Sequence, residues 1–395
     1  MTVKRPEAPM RTLMGPGPLD IHPQVYRALA SPVIGHLDPA YVEALDQIRE
    51  RLQMVFRTEN ALTQVTPGTG TSGMECSVAN LMEPGDKVLC CVHGYFGDRI
   101  RQMAERQGAE VTAIEAEWGQ PDDPERIEAE LESGDYKVLT LVHAETSTGV
   151  LQPMDDVVRL AKSHGVMLVL DTVTSLGGVD VRIDEWGVDA AYSCSQKCIG
   201  SPPGLAPVTF SPRAVEAMKK RTHPVRSWYL DAQLLDSYWT GRKYHHTSSS
   251  TLNYGILEAL MLIEEEGLQN RLARHLRNHK ALVAGVEAMG LEMIVAPEYR
   301  LPSLNTVRIP DGVDDAKVRG YLLETFNLEI GGGLGAFAGK AWRVGLMGYS
   351  SSPEKILFFM SCLSQTLASQ GHATDLKAGL AAAMGSLEKE TVGVA

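Results

Sequence analysis

Short runs of apolar and β-branched residues alternate with longer stretches of helical periodicity along the first half of this chain. Residues 61–65, 87–92 and 136–142 read as strands, and 166–170 is a continuous apolar run, the pattern of a parallel strand covered on both faces. Residues 39–56 place Val42, Leu45, Ile48, Leu52 and Val55 on one helical stripe. Residues 23–30, 74–81, 97–107, 124–131 and 154–163 read as further helices. With more strands at 110–114, 189–193 and 205–210, this alternation predicts an α/β fold around a mainly parallel sheet.

The pattern changes after Ser211. An aromatic, polar stretch with Trp228, Tyr229, Trp239 and Tyr244-His245-His246-Thr247 shows little periodicity. Long helices at 252–265 and 268–289 lead into a second, smaller α+β unit. That unit has strands at 306–309 and 341–346, helices at 315–326 and 353–370, a turn at Gly331-Gly332-Gly333, and a frayed tail. The expected division is an N-terminal arm over 1–12, a large domain over 13–267 and a small C-terminal domain over 268–395.

Composition narrows the function classes. A formal charge of −12 without any long basic run argues against a nucleic-acid surface. No apolar stretch approaches a membrane span, and the N-terminus lacks the apolar core of a secretory leader. The C-terminus carries no peroxisomal-type signal, so the expected compartment is the cytoplasm. Six cysteines without a framework pattern fit reduced thiols. His245 and His246 are adjacent, so their side chains are expected to point apart, and no metal site is expected.

The candidate chemistry lies at strand ends. Lys197 follows the run Ala190-Ala191-Tyr192 and the polar segment Ser193-Cys194-Ser195-Gln196, ahead of Gly200-Ser201-Pro202-Pro203-Gly204. A lysine just past the carboxyl end of a parallel strand stands where open α/β sheets bind ligands, and its amine forms Schiff bases with carbonyls. Asp171 ends the apolar run 166–170. It either pairs with a protonated ring nitrogen, as in pyridoxal phosphate, or caps the segment that follows. Pro67-Gly68-Thr69-Gly70-Thr71-Ser72-Gly73 follows a strand, opens a helix, and spells the dinucleotide fingerprint. No acidic residue clearly ends a second strand about twenty residues on, as that fingerprint requires. Gly70 and Thr71 therefore read as a phosphate cradle at a helix N-terminus, with a plain glycine-rich turn as the alternative. Arg343, between Trp342 and Val344, either pairs at the surface or aims its planar fork at a carboxylate.

Further motifs join these residues: Ser147-Thr148-Gly149-Val150-Leu151-Gln152-Pro153, Ser175-Leu176-Gly177-Gly178, Ser195-Gln196-Lys197, Pro202-Pro203-Gly204 and Tyr244-His245-His246-Thr247. Together they resemble the class V, fold-type I pyridoxal-phosphate enzymes, most closely the alanine–glyoxylate and serine–glyoxylate aminotransferases. The resemblance runs from Gly15-Pro16-Gly17-Pro18 to beyond Arg343. It implies that Lys197 is the Schiff-base lysine and proton shuttle, and that Asp171 pairs with the pyridine nitrogen. Thr146 lies near the phenolic oxygen, Val173 beneath the ring and Phe96 above it. Thr69, Gly70, Thr71 and Gln196 hold the phosphate. Tyr244 and Thr247 reach the phosphate of the partner subunit, which implies a homodimer with shared active sites. Arg343 takes the substrate carboxylate, and Gly17 lies on the substrate side. His36 either hydrogen-bonds a polar donor such as serine or is structurally buried.

The chain departs from the animal enzymes at Thr71, where they carry histidine, and at Phe96, where they carry tryptophan. A hydroxyl still binds phosphate and a phenyl ring still stacks. The implied activity is a ping-pong transfer of an amino group from alanine or serine to glyoxylate or pyruvate. Alternatives on the same scaffold are (S)-ureidoglycine–glyoxylate, aspartate or hydroxykynurenine aminotransferases. A pyridoxal-phosphate lyase is disfavoured by Gln196 before the lysine, and a nicotinamide dehydrogenase would rest on the glycine fingerprint alone.

Overall fold

A computed structural model describes residues 7–392; residues 1–6 of the expected arm and 393–395 of the expected tail lie outside the described residues. In chain order the strands are β1 (Thr12–Leu13), β2 (Leu62–Pro67), β3 (Lys87–Val92), β4 (Glu110–Glu115), β5 (Val138–Val142), β6 (Ala144–Glu145) and β7 (Val150–Leu151). They continue with β8 (Met167–Asp171), β9 (Ala190–Tyr192), β10 (Leu205–Phe210), β11 (Leu304–Arg308), β12 (Leu328–Glu329), β13 (Gly331–Gly332) and β14 (Ala341–Gly345).

The large sheet has the order β2-β10-β9-β8-β5-β3-β4. The strands from β9 to β4 are parallel. β10 runs antiparallel to both β9 and β2, so β2 points the same way as the parallel set. Alternation along each strand assigns side chains to the two faces. In β5, Leu139 and Leu141 enter one core, and Val138 and Val142 enter the other. The first core lies under helices such as Pro39–Phe56, Asp155–Ser163 and Ser250–Glu266. The second lies under Gly70–Leu81, Tyr95–Gln107 and Pro212–Lys219. Met167 and Val169 of β8 face this second core, so Asp171, two positions further on, falls on the same face. Tyr192, opposite Asp171 in register, does too.

The C-terminal unit carries the sheet β11-β14-β13 and its own core, with Trp342, Val344, Phe359 and Leu363. Met14 belongs to this core, and β1 pairs with β12.

Three regions differ from the sequence reading. The expected frayed tail contains the helix Leu376–Val392, with Ala383 fully buried. A Cβ at Gly285 of the helix Leu268–Ala288 would come within 3.2 Å of the Ala383 Cβ. Small residues let the two backbones approach closely, while Leu376, Leu380 and Leu387 pack on the C-terminal core at helical spacing. The segment after Ser211 holds two helices, Pro212–Lys219 and Ala232–Trp239. The second is capped by the Asp231 carboxylate, which accepts from the Gln233 and Leu234 amides at 3.0 and 3.2 Å. Its buried residues Ala232, Leu235, Tyr238 and Trp239 fall at helical spacing. His245 and His246 do not point apart: their Nδ1 atoms approach to 2.9 Å, and His245 stacks on Trp228 at 4.4 Å. Among the described residues no group of His, Cys, Asp and Glu could hold a metal ion, and no helix is long and apolar enough to cross a membrane.

Candidate active site

The carboxyl ends of β2, β3, β5, β8 and β9 open on one edge of the large sheet, and the loops that leave them carry the predicted residues. Asp171 is buried at the end of β8. Its Oδ2 accepts from the Tyr192 hydroxyl and its Oδ1 from the Val173 amide, both at 2.8 Å. Burial raises its pKa to about 7, with the Glu145 charge adding to the rise and the two hydrogen bonds and Lys197 opposing it. Such a carboxyl becomes a settled charge when a cation is placed against it.

Lys197 sits on a short helical turn, Ser195–Ile199, that is interrupted at the lysine itself. The side chain is buried, and its amine donates to the Pro16 carbonyl. Burial lowers the pKa of this amine, and the Arg343 charge pushes the same way. Gly17 has φ +108°, and a Cβ there would stand 2.8 Å from Lys197 Cδ and 3.2 Å from Nζ. Only glycine suits both that conformation and that contact.

The helix Gly70–Leu81 begins beside them. Its N-cap Thr69 makes no side-chain capping bond; the Ser72 amide bonds the Thr69 carbonyl at 2.7 Å, which leaves the Gly70 and Thr71 amides for an anion. A Cβ at Gly70 would lie 3.1 Å from both Val173 and Cys194, so the segments after β8 and β9 press against this helix start. The Oε1 atom of Gln196, next to Lys197, is buried without a hydrogen-bond partner. Arg99 donates Nη1 to the Thr71 hydroxyl at 3.2 Å and lies 4.9 Å over the Phe96 ring.

Arg343 reaches this edge from β14 in the C-terminal unit. Its Nε donates to the Gly332 carbonyl at 2.8 Å and its Nη1 to the Thr146 carbonyl at 3.0 Å. The Thr146 hydroxyl is bonded to that of Thr174. Burial lowers the Arg343 pKa to about 10, opposed by the Glu145 charge. Among the described residues no carboxylate forms an ion pair with Arg343. A buried guanidinium in that state is costly, and a substrate carboxylate would relieve it.

Three expected residues stand apart. Tyr244 is 62% exposed. Its hydroxyl lies 3.5 Å from that of Thr247, and the His36 ring lies 5.2 Å from its own. No hydrogen bond or ring contact of these residues reaches Lys197, Asp171 or the start of the helix Gly70–Leu81.

Sequence reasoning passed over Tyr192, Glu145 and Arg99. Tyr192 was within reach, because the period-2 alternation of a strand beside β8 carries it to the face of Asp171. Glu145 is fully buried; Oε2 accepts from the Phe96 and Gly97 amides at 3.1 and 3.3 Å, and Oε1 from the Ser147 amide and hydroxyl at 2.9 and 2.6 Å. A Cβ at Gly94 would collide with this carboxylate. Glu145 thus fixes the loop carrying Phe96, and nothing local in the sequence signals that. Arg99 reads as a surface cation on an amphipathic helix.

A family model described as aminotransferase class-V matches residues 23–350. The chain belongs to the class V aminotransferase family. This class V aminotransferase is 40% identical over 385 residues to an alanine–glyoxylate aminotransferase of Drosophila melanogaster, covering 95% of this chain and 98% of the relative. The crystal structure of an alanine–glyoxylate aminotransferase from Nostoc sp. superposes with TM-score 0.91 at 48% identity, covering 93% of this chain and 98% of that one. That of a ureidoglycine–glyoxylate aminotransferase from Bacillus subtilis gives TM-score 0.95 at 37% identity, covering 98% and 100%. The fold is that of the fold-type I aminotransferases, and the protein is a transaminase. The dehydrogenase reading of the glycine fingerprint falls away.

Proposed function

We propose that this transaminase uses pyridoxal phosphate to move an amino group from alanine or serine to glyoxylate or pyruvate, in a ping-pong cycle through a Schiff base on Lys197. The observation that carries the reading is a buried trio with complementary needs. The Lys197 amine is biased towards its neutral, nucleophilic form. Asp171 titrates near neutrality until a cation meets it, and Arg343 has no carboxylate partner among the described residues. An aldehyde, a protonated ring nitrogen and an amino-acid carboxylate answer those three needs together.

The residues present fit the cofactor. Gln196 offers a buried, unpartnered oxygen at the site, Thr69 to Thr71 offer free amides, and Val173 and Phe96 offer apolar surface for a ring. When bound, pyridoxal phosphate supplies an aldehyde for amines to condense with and an electron-poor ring that accepts the electrons of a bond broken at Cα. Asp171 would keep a proton on the ring nitrogen. Arg343 would orient the carboxylate and so select which Cα bond is broken. Nζ of Lys197 would take the Cα proton and return it at the other carbon.

Alanine as donor is supported by the names of the Drosophila and Nostoc relatives. A second reading, (S)-ureidoglycine as donor, is supported by the Bacillus relative. Tyr244 and Thr247 would serve the phosphate site of a second copy, as their exposure and separation from Lys197 suggest, and His36 would travel with them. We place the domain boundary at Gly267, between the helices Ser250–Glu266 and Leu268–Ala288.

A half-reaction assay tests the reading. Alanine, serine, aspartate and ureidoglycine are added singly to purified protein without acceptor, and the cofactor absorbance is followed. Bleaching by alanine or serine, reversed by glyoxylate, is the expected result. Bleaching only by another amino acid overturns the donor. Protein that takes up no pyridoxal phosphate overturns the role given to Lys197.

A further inference from the structure

We propose that Arg99 is the cationic anchor of the cofactor phosphate and binds it together with Thr71. The proposal rests on the reading that pyridoxal phosphate occupies this site. A phosphate monoester carries close to two negative charges at neutral pH. Yet every residue assigned to it so far is neutral: Thr69, Gly70, Thr71 and Gln196 in this chain, and Tyr244 and Thr247 from a second copy. A helix N-terminus adds only about half a positive charge.

Arg99 stands at this cradle. It leaves the helix Tyr95–Gln107 towards the start of the helix Gly70–Leu81 and donates Nη1 to the Thr71 hydroxyl at 3.2 Å. Because that hydroxyl accepts from Arg99, its own proton is free to be donated to a phosphate oxygen. The guanidinium lies 4.9 Å over the Phe96 ring and 5.1 Å over that of Tyr95, which holds its plane. Two residues along the same helix, Arg101 is paired with Asp98 and Glu105. Arg99 has no carboxylate partner among the described residues, although its charge is felt as far inward as the Tyr192 hydroxyl. A cation left unpaired by its own chain and bonded to a neutral anion cradle is matched to an anionic ligand. The stacking on Phe96 also ties the phosphate end of the site to the residue expected above the ring.

The test compares pyridoxal phosphate with pyridoxal, which lacks the phosphate, in equilibrium binding to the apo forms of wild type, Arg99→Gln and Arg99→Lys. Loss of a charge-assisted contact predicts pyridoxal phosphate binding weakened roughly 10- to 100-fold in Arg99→Gln. Pyridoxal binding should change less than about twofold, because of the two probes only the ester carries a phosphate charge for the cation to meet. Arg99→Lys keeps the charge but not the fork, so a smaller loss, again confined to the phosphate ester, is expected; this variant decides the matter if the glutamine form does not fold. Inorganic phosphate should compete with cofactor uptake in wild type and lose that effect in Arg99→Gln. Equal weakening of both probes would reduce Arg99 to a support for the Phe96 loop and overturn the proposal, as would unchanged cofactor binding. If the wild-type apo form binds neither probe, the cofactor reading itself fails, an outcome distinct from either.

Discussion

The segments ending at Asp171 and Lys197 and the segment 244–247 were expected to serve the same chemistry, and their physical settings are opposite. Asp171 and Lys197 are buried where two adjacent parallel strands end, and each is held by bonds within the chain. Tyr244 is largely exposed and meets little beyond Thr247 and His36. A side chain that must hold one position against a reacting carbon is fixed by the sheet. One that serves a neighbouring molecule cannot be buried by its own chain. The contrast supports a site of which each chain supplies two unequal parts.

The largest effect should come from the buried part. Lys197→Ala should lower transamination by about 10⁴-fold or more, read by single-turnover kinetics, because the proposed nucleophile and proton carrier would be lost together. The comparison itself is broken or kept by complementation. Tyr244→Ala and Lys197→Ala, each of low activity alone, should regain activity when coexpressed, since a mixed dimer can hold one intact site. Mixtures no more active than the separate variants would put Tyr244 in its own chain's site. Arg343→Gln should lower kcat/KM for the amino donor roughly 10- to 100-fold, with pyridoxal phosphate affinity nearly unchanged.

The smallest expected effect concerns stability. The Asp171 pKa rises from 3.8 to about 7 on folding, so the folded apo protein holds a proton that the unfolded chain has released between those pH values. Folding is therefore favoured less as pH climbs through that window, at about 1.4 kcal/mol per pKa unit. Asp171→Asn should raise the apo-protein Tm at pH 8, and the gain should shrink as pH falls from 7 towards 4. A gain independent of pH would mean that the buried carboxyl is not the cause.

Elements with a strong local period were legible: the strand ending at Asp171, the helix Pro39–Phe56, and the helix opening at Gly70. In the helix Leu376–Val392 the stripe Leu376, Leu380, Ala383 and Leu387 was there to be read, and the sequence reading passed over it. The helix Ala232–Trp239 has its buried positions at helical spacing, but it is only 8 residues long, too short for the period to stand out. Lys197, Asp171 and the Gly70–Thr71 cradle could be nominated from strand-end and helix-start positions. Without the family resemblance Arg343 could not be told from a surface arginine; in the structure it is buried and bonded to the carbonyl of Thr146, 197 residues away.

The sequence by itself determined which strands are apolar throughout, where each ends, and that Asp171 and Lys197 stand at or just past two of those ends. Burial patterns and turn residues are local and survive in one dimension. Only the tertiary structure decided that Glu145 holds the Phe96 loop, that Tyr192 bonds Asp171, that Arg343 remains without a carboxylate, and that Arg99 meets Thr71. Each of those concerns what a side chain meets far from it in sequence. The energy of such a meeting depends on burial and distance, and the order of residues along the chain encodes neither directly.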